Sequence, residues 1–132
     1  MTSTLTKGSS VTTEAGKAFR EAWIAGVRKH YPGEPKAGYV APWDETPDWE
    51  RDSAAAVYEL VVDLLRVSEG AASRLSRAQK SQFVAACWTA QIHLRIDNPK
   101  QAYVAPWEDL PPWHQEVDAD IFNDIERLEK PS

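Results

Sequence analysis

Pro35-Lys36-Ala37-Gly38-Tyr39-Val40-Ala41-Pro42-Trp43-Asp44-Glu45-Thr46-Pro47-Asp48-Trp49 recurs 64 residues later as Pro99-Lys100-Gln101-Ala102-Tyr103-Val104-Ala105-Pro106-Trp107-Glu108-Asp109-Leu110-Pro111-Pro112-Trp113. Nine of these fifteen positions are identical and two more exchange Asp with Glu, a match that requires duplication of an ancestral unit. Internal repetition sets the architecture before any residue-level pattern does, because copies of one unit bury their apolar faces against each other.

The flanking residues read as a helix on each side of each copy. Phe19, Trp23 and Val27 upstream of the first loop, and Phe83, Cys87, Ala90 and Leu94 upstream of the second, recur at three- or four-residue spacing and mark inward faces of amphipathic helices. Ser76-Arg77-Ala78-Gln79 has the capping-box pattern, which places a helix start near Arg77. The first helices end at Tyr31-Pro32-Gly33 and Asp97-Asn98-Pro99, since proline lacks a donor and disfavours helix in the residue before it. Second helices are expected to begin at Pro47 and Pro111, with Thr46 as an N-cap and Leu110 a poor one. Their stripes are Trp49, Ser53, Val57, Leu60, Leu64 and Val67, then Trp113, Val117, Ile121, Ile125 and Leu128. Gly70 is expected to close the first copy, with 69–74 as a short linker.

The expected fold is therefore all-α: four main helices as two tandem helix-loop-helix repeats with pseudo-two-fold symmetry. Repeat one covers 13–70 and repeat two 71–130, within a single helical domain, 13–132, that follows a Ser/Thr-rich disordered tail, 1–12. A chain of 132 residues with 42% apolar and 27% charged residues can bury such a core without metal or disulfide. No apolar run approaches the roughly 18 residues of a membrane span, and the first thirteen residues lack a signal-peptide core. The single Cys87, read as a small buried hydrophobe, agrees with a cytoplasmic location.

A net charge of −5 argues against non-specific nucleic-acid or anionic-membrane affinity. Its distribution is more informative. Lys and Arg outnumber Asp and Glu six to three in 1–36 and five to one in 71–100, whereas the acidic residues lead eight to two in both 37–70 and 101–132. First helices are basic and second helices acidic. Arg20, Arg28, Lys29 and Lys36, or Arg74, Arg77, Lys80, Arg95 and Lys100, are read as partners of those acidic helices before they are read as phosphate ligands. Asp44, Glu45, Asp48, Glu50 and Asp52, with Glu108, Asp109 and Glu116, crowd helix N-termini, where the macrodipole favours negative charge.

The repeated aromatic loops are the candidate site: Tyr39, Trp43 and Trp49, with Tyr103, Trp107 and Trp113. Two readings compete, a pair of proline-stiffened surfaces that hold a ligand or peptide, and aromatic caps that cover the open end of each helical hairpin. Lys36 and Lys100 are the candidate anion contacts. No catalytic constellation is evident, since His30, His93 and His114 have no local nucleophile or orienting carboxylate, and His30 and His93 read as caps near helix C-termini. Cys/His spacing offers no zinc site, Asp118-Ala119-Asp120 lacks the rest of a calcium loop, and the six glycines are scattered, so neither metal nor cofactor is expected.

The segments around Tyr-Val-Ala-Pro-Trp-acidic-acidic-Xaa-Pro resemble the repeat of RyR domains, a helix, a loop with a Pro-aromatic-acidic-Leu-Pro stretch, and a second helix with an early Asp. Pro106, Trp107, Glu108, Leu110, Pro111 and Asp118 carry the likeness best, with Pro42, Trp43, Asp44, Pro47 and Asp52 as the weaker copy, over about 19–65 and 83–128. The family's glycine-tryptophan stretch after the first helix is replaced by Pro-Gly-Glu-Pro-Lys and Asp-Asn-Pro-Lys. The motif is also similar to that of small actinobacterial and phage proteins. The resemblance implies a non-catalytic module. Two functions are expected in order: a non-enzymatic protein-protein interaction or adaptor module whose partner is another protein or a second copy of the chain, and alternatively a sensor of a nucleotide-like small molecule.

Overall fold

In the computed structural model, residues 2–130 are described in backbone and 13–130 in side chains, and among them there are four α-helices and no strand. They are α1 (Thr2–His30), α2 (Asp48–Val67), α3 (Arg77–Arg95) and α4 (Pro112–Glu129). The expected tail, 1–12, lies outside the residues whose side chains are described, although α1 begins at Thr2. The short turns of the two loops repeat the 64-residue spacing, Ala37–Val40 with Gln101–Val104 and Trp43–Glu45 with Trp107–Asp109.

Local chemistry explains the boundaries. Ser76 and Gln79 form the expected capping box: the Gln79 amide donates to Ser76 Oγ (3.1 Å) and the Ser76 amide to Gln79 Oε1 (2.9 Å). Pro47 and Pro111 are extended N-cap residues and not first helical residues, so the expected starts are corrected by one position. Their carbonyls accept the first helical bonds, from Glu50 and Arg51 and from His114 and Gln115, while Pro112 takes the first turn of α4, where no donor is missed. Thr46 is not the N-cap either; it is buried and its hydroxyl donates to the Trp43 carbonyl (2.7 Å). Past Val67 the chain closes α2 with Gly70 N–H on the Leu65 carbonyl (2.9 Å) and Glu69 N–H on that of Arg66 (3.0 Å). Gly70 is left-handed as expected, at φ 86°, and Glu69 before it is left-handed too, at φ 51°.

One apolar cluster draws on all four helices, through Phe19 and Val27, Val57 and Val61, Val84, and Val117, Ile121, Phe122 and Ile125. Several expected inward residues stay out of it: Leu60, Val67, Leu94, Ala90 and Leu128 are exposed. The buried faces are rotated from the expected stripes, running through Val57, Tyr58 and Val61 on α2 and through Ser81, Val84, Ala85 and Ile92 on α3. Trp23 faces Trp113 and His114, Gly26 faces Val117, and His30 faces Asp120, so α1 and α4 run in the same direction along one interface. Each loop doubles back along its own first helix, bringing Trp43 against Gly16 and Trp107 against Ser81. The second helix of each copy therefore starts beside the middle of α1 in the first copy and beside the early turns of α3 in the second.

Candidate functional site

The doubled-back loops are where the copies diverge. In the first, Arg20 is 6% exposed and its guanidinium donates to the carbonyls of Ala41 (2.7 and 3.0 Å) and Gly38 (3.0 Å) and to Glu50 Oε2 (3.0 Å). Trp23 Nε1 adds a bond to the Tyr39 carbonyl (2.9 Å). Burial lowers the proton affinity of Arg20 and raises that of Glu50, and their mutual attraction opposes both shifts without overcoming them. Desolvation of the pair thus exceeds its charge attraction, and the carbonyls of Gly38 and Ala41 supply further hydrogen bonds to the Arg20 guanidinium. Loop one is clasped.

The counterparts of Arg20 and Glu50, 64 residues on, are Val84 and His114, and neither reaches loop two. That loop is fixed at its far end only. Trp107 Nε1 donates to Ser81 Oγ (2.7 Å), Ser81 Oγ donates to the Gln115 carbonyl (2.6 Å), and Gln115 Nε2 donates to the Trp107 carbonyl (2.8 Å). Among the described residues, no side chain from elsewhere in the chain donates to a carbonyl between Lys100 and Pro106.

The six expected aromatic residues do not form two equal sets. Tyr39 and Trp113 come together, in a half-buried cluster with Trp23, Tyr31 and His114, at centroid separations of 4.9 Å for Tyr31–Trp113, 5.6 Å for Tyr39–Trp113 and 5.2 Å for Trp113–His114. Trp49 instead packs near Trp88 (6.4 Å), which stacks on Phe19 (5.5 Å). Trp43 is half-buried over Gly16, with the Arg51 guanidinium 5.9 Å from its ring, and Trp107 is half-buried on Ser81. Both therefore cap their hairpins. Tyr103 is the exception, at 52% exposed. The candidate anion contacts Lys36 and Lys100 lie over their neighbouring tyrosine rings, 5.8 Å from Tyr39 and 6.0 Å from Tyr103.

Other basic side chains pair as their charge pattern implies. Arg77 bonds Glu116 (2.8 Å) and Asp120 (2.7 Å), Lys80 reaches Glu126 (3.3 Å), and Arg95 lies 4.0 Å from Asp52. His30 does not cap α1 but bonds Asp120 across helices (2.7 Å). Burial alone raises the Asp120 carboxyl, yet Arg77 and His30 together hold it below its ordinary value. Burial pushes the Cys87 thiol up to about 11, which keeps it unreactive.

Beside loop two runs an apolar groove of about 370 Å³, bounded by the outer face of α3 and the returning Val104–Trp107 segment. Its floor is Ala85, Ala86, Thr89 and Ala90; Gln82 and Trp107 lie at one end and His93 at the other. Sequence reasoning missed this surface because Ala90 falls on the apolar stripe of α3. In the first copy part of the same face is covered: Ala22 is buried, and Val117 of α4 packs so closely on Gly26 that a methyl there would sit 2.9 Å from Val117 Cγ1, while Ala25, the counterpart of Thr89, stays exposed. The counterpart pair is Ala90 and Ser53, which has lost both the hole and the knob, and Ala86 and Ala90 remain exposed. The available signal was this set of differences between copies, Arg20 against Val84 and Gly26 against Ala90.

Among the described residues, no three His, Cys, Asp or Glu side chains are placed to hold a metal, and no helix is long and apolar enough to cross a membrane. No protein-family model, curated protein or solved structure matches the chain.

Proposed function

We propose that this chain is a non-enzymatic protein-interaction module whose docking face is the groove between α3 and loop two. One observation carries the reading: two copies of one unit have diverged so that the first loop is clasped by Arg20 and Val117 covers its helix at Gly26, while the second loop is unclasped and the matching Ala90 is exposed beside a groove. An uncovered apolar groove beside an exposed aromatic residue is the surface type that marks a protein contact. The RyR-like pattern of the repeat, with its implied non-catalytic role, points the same way. So does the Ser81 hydroxyl, which is engaged by a carbonyl and an indole and is not poised as a nucleophile.

The alternative, a nucleotide-like sensor, has less behind it. Rings of the Tyr39–Trp113 cluster already pack on one another, and both candidate lysines cover tyrosines. A flat thermal-shift response to a nucleotide panel is expected.

Site-resolved capture from the native cell tests the module reading. An Ala90→Glu chain is expected to lose a partner that the wild type and an Ala25→Glu chain retain, Ala25 being exposed on the first copy. A partner retained equally by all three chains, or recovered by none, would overturn it.

A further inference from the structure

We infer that the occupant of the α3 groove is a second copy of this chain, docked antiparallel about a two-fold axis; this rests on the docking face proposed above. The groove has charged ends of opposite sign. At its Gln82–Trp107 end the chain continues into exposed Glu108 and Asp109. At its other end stand His93 and Lys100, whose ammonium rests 6.0 Å from the Tyr103 ring beside Val104; the exposed Asp97 is on the same turn but outside the groove lining. A two-fold axis through the middle of the groove reverses the partner's direction, so each basic end meets an acidic end, and it does so twice. A head-to-tail arrangement satisfies only one such contact per copy and leaves the other open to further addition, whereas the two-fold contact closes.

The surface between the ends suits a self-contact. Ala86 and Ala90 are small enough to let a second helix approach, and both are exposed. Leu94 and Tyr103, 70% and 52% exposed, offer the apolar bulk that the groove lacks. Reversal about the axis carries the Leu94 and Tyr103 of one copy toward the Gln82–Trp107 end of the other and sets the alanines of the two copies against each other. Lys80, Arg77 and Arg95 do not compete for Glu108 and Asp109, because each already has a carboxylate partner within its own chain.

The test is a charge swap read by sedimentation equilibrium. Wild type is expected to dimerise, and Ala90→Glu to be monomeric with an unchanged helical spectrum. Lys100→Glu alone, and Glu108→Lys with Asp109→Lys alone, should each weaken self-association roughly tenfold or more, because like charges then meet at both ends. Mixed together, the two variants are expected to recover dimers, since each end of the mixed pair is again opposite in sign. A monomeric wild type, a dimer indifferent to Ala90→Glu, or a mixture that stays monomeric would overturn the inference. In each of those cases an Ala90-dependent partner captured from cells leaves the module reading standing, and its absence removes both.

Discussion

Replacing Asp118 by alanine should stabilise this protein at neutral pH and change the shape of its pH profile. Asp118 is 5% exposed, accepts no hydrogen bond among the described residues, and has His114 Nε2 3.8 Å from its Oδ2. Its counterpart in the first copy is Ala54, which is just as buried, so the substitution installs what the other repeat already carries. Burial pushes the Asp118 carboxyl well above its ordinary value and pushes His114 down to about 4. The two act with opposite signs. A carboxyl that stays protonated in the fold loses about 1.4 kcal/mol per pH unit as pH rises from about 4 toward its folded value. A ring kept neutral in the fold gains about as much per unit as pH rises from about 4 to 6.5, and loses it again on acidification.

In the wild type these slopes cancel between about pH 4 and 6.5, and stability then declines until Asp118 ionises. In Asp118→Ala only the histidine slope survives, so stability climbs to about pH 6.5 and levels. Glu50 and Glu59, whose carboxyls burial raises, and Asp120, held low, titrate in both chains and drop out of the difference. An unpaired buried carboxyl costs stability at neutral pH whether it ionises or keeps its proton, and the small cavity left by its removal offsets part of the gain, so an increase of about 1 to 2 kcal/mol is expected. Urea unfolding followed by far-UV circular dichroism from about pH 4 to 8 measures both curves. Parallel profiles, or a less stable variant at pH 7, would show that Asp118 is ionised against a charged His114, refuting the neutral pair.

Three further outcomes follow from named contacts. Arg20→Met should cost about 3 kcal/mol in chemical denaturation, because it strips two loop carbonyls and leaves Glu50 unpaired, and adding Glu50→Gln should recover part of it. Gly16→Ala should destabilise by about 1 kcal/mol or more despite a helix-propensity gain of similar size. Its added methyl overlaps the Trp43 ring, so the Trp43 indole resonance should move while that of Trp107 does not. Glu69→Gly should raise stability by up to about 1 kcal/mol by relieving left-handed strain, less the freedom glycine adds to the unfolded chain. An unchanged melting temperature would count against strain at that position.

The all-α class, the helix order and the Ser76 capping box could be read from residue spacing, because each depends on local periodicity and on short-range hydrogen bonds. The pairing of basic first helices with acidic second helices was visible too, in Arg20 with Glu50 and Arg77 with Glu116. What spacing could not convey is how far each stripe is used. Leu94 and Ala90 continue the pattern of Phe83 and Cys87, yet the buried face of α3 runs through Ser81, Val84, Ala85 and Ile92, and a stripe has no mark for so small a rotation. Trp43 and Trp107 looked equivalent and both cap their hairpins. Tyr39 and Tyr103 also looked equivalent, but only Tyr39 is drawn into a ring cluster, by a tryptophan from the other copy. The groove arises from substitutions at Val84, Ala90 and Ser53 whose meaning depends on the loop folding back along its helix, a non-local fact.

Hydrogen-deuterium exchange on the Ala90→Glu chain compares the two loops with pairing removed. Amides in the clasped first loop, 37–46, are expected to exchange more slowly than those at the matching positions 101–110, the difference vanishing in Arg20→Met. Equal protection of both loops, or slower exchange in the second, would contradict a clasped loop one and an open loop two.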